Sequence, residues 1–150
     1  MEKNRENKTD LHMIFIDLEK AFDRVPRKLI WQSLRAQNVP EWYVHLVMDM
    51  YKEVKTKVRS PAGTSEQFDV KVGVHQGSAL SPLIFNLVMN YLTADIQKKP
   101  PWNILYADDI VLVSKDPKEL ESTLEQWREA LENAGLKISR NKTEYMHCNF

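Results

Sequence analysis

Ile104-Leu105-Tyr106-Ala107-Asp108-Asp109-Ile110-Val111-Leu112-Val113 is the stretch on which the reading of this chain turns. Apolar runs flank two adjacent carboxylates, so the acids sit where a hairpin would turn. Two neighbouring Asp side chains repel each other and prefer water to a setting between apolar strands. Their placement makes sense if something positive sits there, and a pair of divalent cations is the candidate. A second run, Met13-Ile14-Phe15-Ile16-Asp17, delivers another Asp at the end of another apolar segment. Carboxylates brought from separate strand ends are a means of holding Mg²⁺ for chemistry on phosphates.

Outward from these runs, the hydrophobic period sets the remaining elements. Leu11 to Leu18 reads as a buried strand. Pro26 opens a helix to about Gln37 with Leu29, Ile30 and Leu34 on one face. Asn38 closes it, and Pro40 starts a second helix with Tyr43, Leu46, Val47, Met50 and Tyr51 as its stripe. The period then drops to two. Val54, Thr56 and Val58 alternate with Lys55, Lys57 and Arg59, Pro61 to Thr64 supplies a turn, and Phe68, Val70, Val72 and Val74 alternate on the return. Ser81-Pro82 caps and opens a helix with the stripe Leu83, Ile84, Leu87, Val88 and Tyr91. Asp116 caps a further helix with the stripe Leu120, Leu124, Trp127 and Leu131, and Gly135 stops it. Leu136 and Ile138 begin one strand, and Thr143 to His147 form another. This order predicts an α+β architecture, an antiparallel sheet covered by helices on one face. Residues 1–10 read as a polar, disordered lead-in, and 11–150 as a single domain.

Composition narrows the classes. At 150 residues, 43% apolar and 28% charged, the chain is long enough to bury a core and ordinary for a globular protein. Lys and Arg (21) balance Asp and Glu (21), so no global basic field advertises tight autonomous nucleic-acid binding. The single Cys, Cys148, excludes an internal disulfide and fits a reducing compartment. The apolar stretch Ala79 to Ile96 is interrupted by Ser81, Pro82, Asn86, Asn90, Thr93 and Asp95, which argues against a membrane span. A cytoplasmic or nuclear protein without a membrane partner is the expectation. His12, His45, His75 and His147, with Cys148, show no zinc spacing, and no Gly-rich phosphate loop or nucleophile elbow occurs.

Four blocks then carry a resemblance: Phe15-Ile-Asp-Leu-Glu-Lys-Ala-Phe-Asp23, Gly73-Val-His-Gln-Gly-Ser-Ala-Leu-Ser-Pro-Leu-Ile-Phe-Asn86, Tyr106-Ala-Asp-Asp109 and Gly135-Leu-Lys-Ile-Ser-Arg-Asn-Lys-Thr-Glu144. In this order and spacing the chain resembles the palm domain of reverse transcriptases, most closely those of non-LTR retrotransposons. Tyr-Ala-Asp-Asp alone would be a weak signal; taken by itself, Asp108-Asp109 reads as a polar hairpin turn. The resemblance covers residues 11 to about 148.

The resemblance implies an RNA-directed DNA polymerase that adds dNTPs to a DNA primer on an RNA template, using two Mg²⁺ ions with Mn²⁺ as a possible substitute. Asp17, Asp108 and Asp109 are then the catalytic and metal-binding acids. Asp17 and Asp108 bridge both ions, Asp109 plays a lesser part, and the Leu18 carbonyl can also ligate. Phe22, five residues after Asp17, is placed under the incoming sugar, where a ring selects against a 2′-hydroxyl. From pattern alone, Phe22 reads as core. Gln76 and Gly77 border nucleotide or template: Gly permits close backbone approach and the Gln amide both donates and accepts. Tyr106 and Ala107 border the primer end. Lys142 matches a basic residue that assists the leaving pyrophosphate, with a solvated surface Lys as the plain alternative. The chain departs from the family at His75, where Arg or Lys is frequent, and at Ser78, where Cys or a small residue is. Lys55, Lys57 and Arg59, on one strand face, read first as a solvated edge and second as a contact to a nucleic-acid backbone.

The same resemblance implies that fingers and thumb regions, which grip the triphosphate and the duplex, are largely missing here and would have to come in cis or in trans. A non-enzymatic, retroelement-derived relic that folds without activity is the alternative expectation.

Overall fold

The computed structural model describes residues 2–150; Met1, the first residue of the expected lead-in, lies outside them. Contacts divide the chain into two compact units, Met1–Ala21 with Met89–Phe150, and Phe22–Val88.

The first unit is built on β1 (Leu11–Ile16), β6 (Asn103–Tyr106), β7 (Asp109–Ser114) and β8 (Glu144–Cys148). They form one antiparallel sheet in the order β6-β7-β1-β8. β1 is a central strand, which is why a run apolar on both sides suits it. Its register sets Met13 against Val113 and Ile16 against Ile110. α6 (Pro117–Asn133) lies against β7 and β1. Leu120, Trp127 and Leu131 are its buried stripe, as their spacing requires. Asp116 Oδ1 accepts from the Lys118 amide at 2.9 Å, the expected cap. At the other end Gly135 stands at φ 89°, and the amides of Gly135 and Leu136 reach the carbonyls of Glu132 and Leu131, a Schellman ending. On the opposite face of the sheet Leu11, Met13 and Val113 form a smaller cluster with Val111, Cys148 and Phe150.

Two expectations fail in this unit. Part of the N-terminal segment expected to be disordered is a short helix, α1 (Glu2–Glu6), closed by Lys8 and Thr9 amides donating to Arg5 and Asn4 carbonyls. Leu136 and Ile138 begin no strand; Ile138 forms a single bridge to Leu18. The Schellman turn spends the backbone groups around Leu136 that a ladder would need.

The second unit contains most of α2 (Ala21–Arg24), then α3 (Arg27–Ala36), α4 (Glu41–Met50), and four two-residue strands, β2 (Lys55–Thr56), β3 (Arg59–Ser60), β4 (Gly63–Thr64) and β5 (Phe68–Asp69). α5 (Ser81–Thr93) begins here, and the division between units falls within it at Met89. α2 is an element the sequence pattern did not announce. Ile30 and Leu34 are buried on α3 as expected, and Asn38 follows it at φ 56°, where a short polar side chain is tolerated. On α4 the buried residue is Val44, not the expected stripe: Tyr43, Leu46 and Met50 are exposed along with Trp42, although Tyr51 just beyond the helix is buried. A helix apolar on several sides does not declare which side meets its neighbour, and here α3 decides it.

The expected hairpin forms, but in pieces. β2 pairs with β5 and β3 with β4, and between the two ladders two residues on the outgoing side face three on the return, a bulge. Val58, Phe68 and Val72 are exposed despite their alternation, and the bulge leaves Lys55 and Arg59 on separate short strands. α5 also turns a different face inward: Ile84, Phe85, Val88 and Met89 are buried, while Leu83 and Tyr91 are exposed. No helix among the described residues is long and apolar enough to cross a membrane.

Candidate functional site

The acids lie at one end of the four-stranded sheet. β6 and β7 close with the pair Tyr106–Asp109, leaving Ala107 and Asp108 as a two-residue loop. Its φ is positive at Ala107 (54°) and not at Asp108, the sense of a type II′ turn, whose first position ordinarily goes to Gly. Holding Ala there costs about 1–2 kcal/mol. The surrounding ladder imposes it, and strain of this kind concentrates at functional sites.

Asp17 follows the last residue of β1. Continuing the Ile16–Ile110 register sets Asp17 opposite Asp109 on the neighbouring strand. Both acids keep the phase of Phe15 and Val111, so they emerge on the sheet face turned away from α6. Asp108 is half-buried in the turn, and Asp109 and Tyr106 are exposed. The backbone behind Asp17 is fixed by an antiparallel bridge between Leu18 and Ile138, in which the Asp17 carbonyl accepts from Ser139 and the Glu19 amide donates to Lys137, both at 2.8 Å. Those bonds use the residues on either side of Leu18, so its own carbonyl points away from the bridge.

Lys142 is held over this end by a tight turn, with the Lys142 and Thr143 amides and the Thr143 hydroxyl all donating to the Ser139 carbonyl. Its Nζ lies 3.4 Å from Asp17 Oδ2. That is ion-pair range without a hydrogen bond, and Oδ2 is buried with no donor. A carboxylate oxygen left without a donor is costly unless a cation serves it. Asp17, Asp108, Asp109 and the Leu18 carbonyl offer only oxygen, the donor type a hard cation takes. Among the described residues no group of three or more His, Cys, Asp or Glu side chains stands close enough together to hold a metal ion; the acids are aligned by register rather than drawn together.

Phe22, Gln76 and Gly77 belong to the second unit. Phe22, on α2, is half-buried and stacks on Phe85, ring centroids 4.5 Å apart and planes 16° apart. It is thus part core residue and part available surface. His75 to Ser78 form a β-turn, closed by the Ser78 amide donating to the His75 carbonyl at 3.3 Å. Gln76 has negative φ and Gly77 stands at 81°, the type II pattern that calls for Gly. A Cβ on Gly77 would meet nothing within 4 Å, so the turn tip is open. Ser81, expected to cap α5, is its first residue, and its hydroxyl donates instead to the His75 carbonyl. The His75 ring stacks on Tyr51 at 4.3 Å.

Asp23 ends the first block of the resemblance, which gives it no role. In the structure Asp23 Oδ1 accepts from Gln76 Nε2 at 2.6 Å. No local signal foretells a pair 53 residues apart.

An antiparallel sheet with acids at a strained turn, backed by helices, defines a polymerase-palm architecture. Telomerase from Candida tropicalis, solved with a TWJ fragment of telomeric RNA, has this fold: the TM-score is 0.75 at 16% identity, over 96% of this chain and 27% of that one. The family model for reverse transcriptase (RNA-dependent DNA polymerase) matches residues 1–150, and the chain belongs to that family. It is 31% identical over 135 residues to the Pol polyprotein of the type-2 retrotransposable element R2DM of Drosophila melanogaster. It is 27% identical over 140 residues to an R2 Pol polyprotein of Nasonia vitripennis. The matches cover 85% and 88% of this chain but 13% and 14% of those polyproteins.

Proposed function

We propose that this chain is the catalytic palm of an RNA-directed DNA polymerase of the non-LTR retrotransposon type, joining dNTPs to a primer 3′-hydroxyl on an RNA template. The observation that carries the reading is the register of β1 and β7, which sets Asp17 opposite Asp109 beside the strained turn that holds Asp108.

In the reaction the primer 3′-hydroxyl gives up its proton to solvent, its oxygen attacks the α-phosphorus to form a new P–O bond, and the bond between the α-phosphorus and the bridging oxygen breaks to release pyrophosphate. Asp17, Asp108 and, to a lesser extent, Asp109 would hold two Mg²⁺ or Mn²⁺ ions, with the Leu18 carbonyl as a further oxygen ligand. When bound, such ions favour the alkoxide and neutralise the triphosphate. The ladder and the Leu18–Ile138 bridge hold the acids' backbones in place, so little reorganisation is needed as charge develops. Lys142, its Nζ near Asp17 and its side chain largely exposed, would neutralise the departing pyrophosphate. Tyr106 and Ala107 would border the primer end, where a small Ala side chain admits it. Phe22 would exclude a 2′-hydroxyl, and Gln76 and Gly77 would contact nucleotide or template.

Oligo(dT)-primed extension on an RNA template tests this reading, comparing the wild type with Asp17→Asn in Mg²⁺ and in Mn²⁺. Loss of about a thousandfold or more in rate is expected on removing a metal-bridging carboxylate. A cooperatively melting wild-type chain with no extension in either metal would favour the inactive relic instead.

A further inference from the structure

We propose that Asp23 is a positioning residue that fixes which end of the Gln76 amide is offered to a nucleotide, an inference resting on the polymerase reading above. Gln76 Nε2 donates to Asp23 Oδ1 at 2.6 Å. A carboxylate only accepts, so the amide must turn its NH₂ toward Asp23 and its Oε1 away. The Oε1 end of Gln76 is therefore left as a free acceptor, fit for a hydroxyl or amino group of an incoming nucleotide, while one N–H of Nε2 is committed to Asp23.

The pair stands on a rigid base. The Val74 amide donates to the Phe22 carbonyl at 2.9 Å and the Gly73 amide to the Val25 carbonyl at 2.8 Å. Pro26 bridges Val72. Gly73, at φ 83°, lies so close that a Cβ would meet the Asp23 carbonyl oxygen at 2.8 Å. The type II turn carrying Gln76 is bolted from the other side by the Ser81 hydroxyl on the His75 carbonyl. Both backbones are thus fixed before the side chains meet, which removes part of the entropy that usually makes exposed polar pairs weak. Phe22 precedes Asp23 on the same short helix, so one staple orders both Phe22, which the family resemblance sets under the incoming sugar, and Gln76, which it sets beside nucleotide or template.

The test is ¹⁵N NMR of the Gln76 side-chain amide in the wild type, Asp23→Ala and Asp23→Asn, each titrated with dTTP. The wild-type NH₂ pair should resonate away from the position of a free glutamine. In Asp23→Ala it should return there, and dTTP affinity should fall about fivefold, the scale of one hydrogen bond. Asp23→Asn is isosteric and lets the amide pair in either orientation, so a loss of about twofold is expected. It carries the same comparison should Asp23→Ala not fold. A Gln76 resonance indifferent to both substitutions overturns the pairing. A resonance that moves while dTTP affinity stays constant overturns the positioning role. Wild-type protein that binds no dTTP, with the resonance still dependent on Asp23, overturns the nucleotide reading and this role with it, and the resonance tells that result apart from a lost pair.

Discussion

The hairpin of β6 and β7 and the hairpin between Val54 and Val72 share one sequence grammar and meet different fates. Both alternate or run apolar residues around a two-residue loop, with a positive φ inside the loop at Ala107 in one and just beyond it, at Gly63, in the other. The first keeps four consecutive pairs, borders β1 and is backed by α6. The second breaks into two short ladders around a bulge, with its strands exposed throughout. Alternation specifies which side of a strand is apolar, but burial requires a second layer to cover that side. The covered ladder holds an alanine at a positive φ in its turn, and that is where the acids are.

Breaking the covered region should produce the largest effect. Trp127→Ala, which removes the fully buried side chain of α6, should cost about 3–5 kcal/mol. Val58→Ala on the exposed hairpin should stay within about 0.5 kcal/mol. Urea melts of the two variants, read as midpoints at constant slope, check the contrast. The exposed hairpin is anchored at its root, where Val72 bridges Pro26 and Gly73 lies on Asp23. Gly73→Ala should therefore destabilise by about 2–3 kcal/mol, because both the positive φ and the backbone contact oppose a Cβ. The same melts measure it.

A smaller effect sharpens the comparison of the turns. Ala107→Gly should stabilise the protein by about 1 kcal/mol by relieving its positive φ, detected as a raised thermal midpoint. Gly63→Ala should destabilise through the same dihedral preference, although open space surrounds that position.

How far the sequence was legible follows the same division. α6 was readable end to end, since the Asp116 cap, the Leu120–Trp127–Leu131 stripe and the Gly135 stop are local signals with local causes. β1 and the Tyr106–Asp109 turn were readable because apolar runs interrupted by acids admit few placements. The buried face of α4 was not readable, since Tyr43, Val44, Leu46 and Val47 are apolar on several sides and the partner helix chooses among them. The Ser81 hydroxyl was assigned to its own helix because capping is the frequent use of such a residue, whereas the neighbouring turn claims it. Asp23 and Gln76 meet only through the staple that folding builds between distant segments.

The smallest expected effect is one of pH. Glu119, on α6, is held below its usual 4.5 first by the hydrogen bond from Lys98 and then by that from the Ser114 hydroxyl. A depressed carboxyl contributes stability that is present above the ordinary value and is lost as pH falls through the lower folded one. Glu119→Gln should therefore melt slightly below the wild type at neutral pH. The two curves should converge as the medium is acidified below pH 4.5, which a series of thermal melts would show.

The central claim, that the acid-bearing end of β1 and β7 is a divalent-cation site, is tested most directly by Mn²⁺ titration of the ¹⁵N-labelled chain. Paramagnetic broadening should begin at residues 16–18 and 107–110 and weaken sharply in Asp108→Asn. Broadening that starts elsewhere, or that is indifferent to Asp108→Asn, would contradict the account.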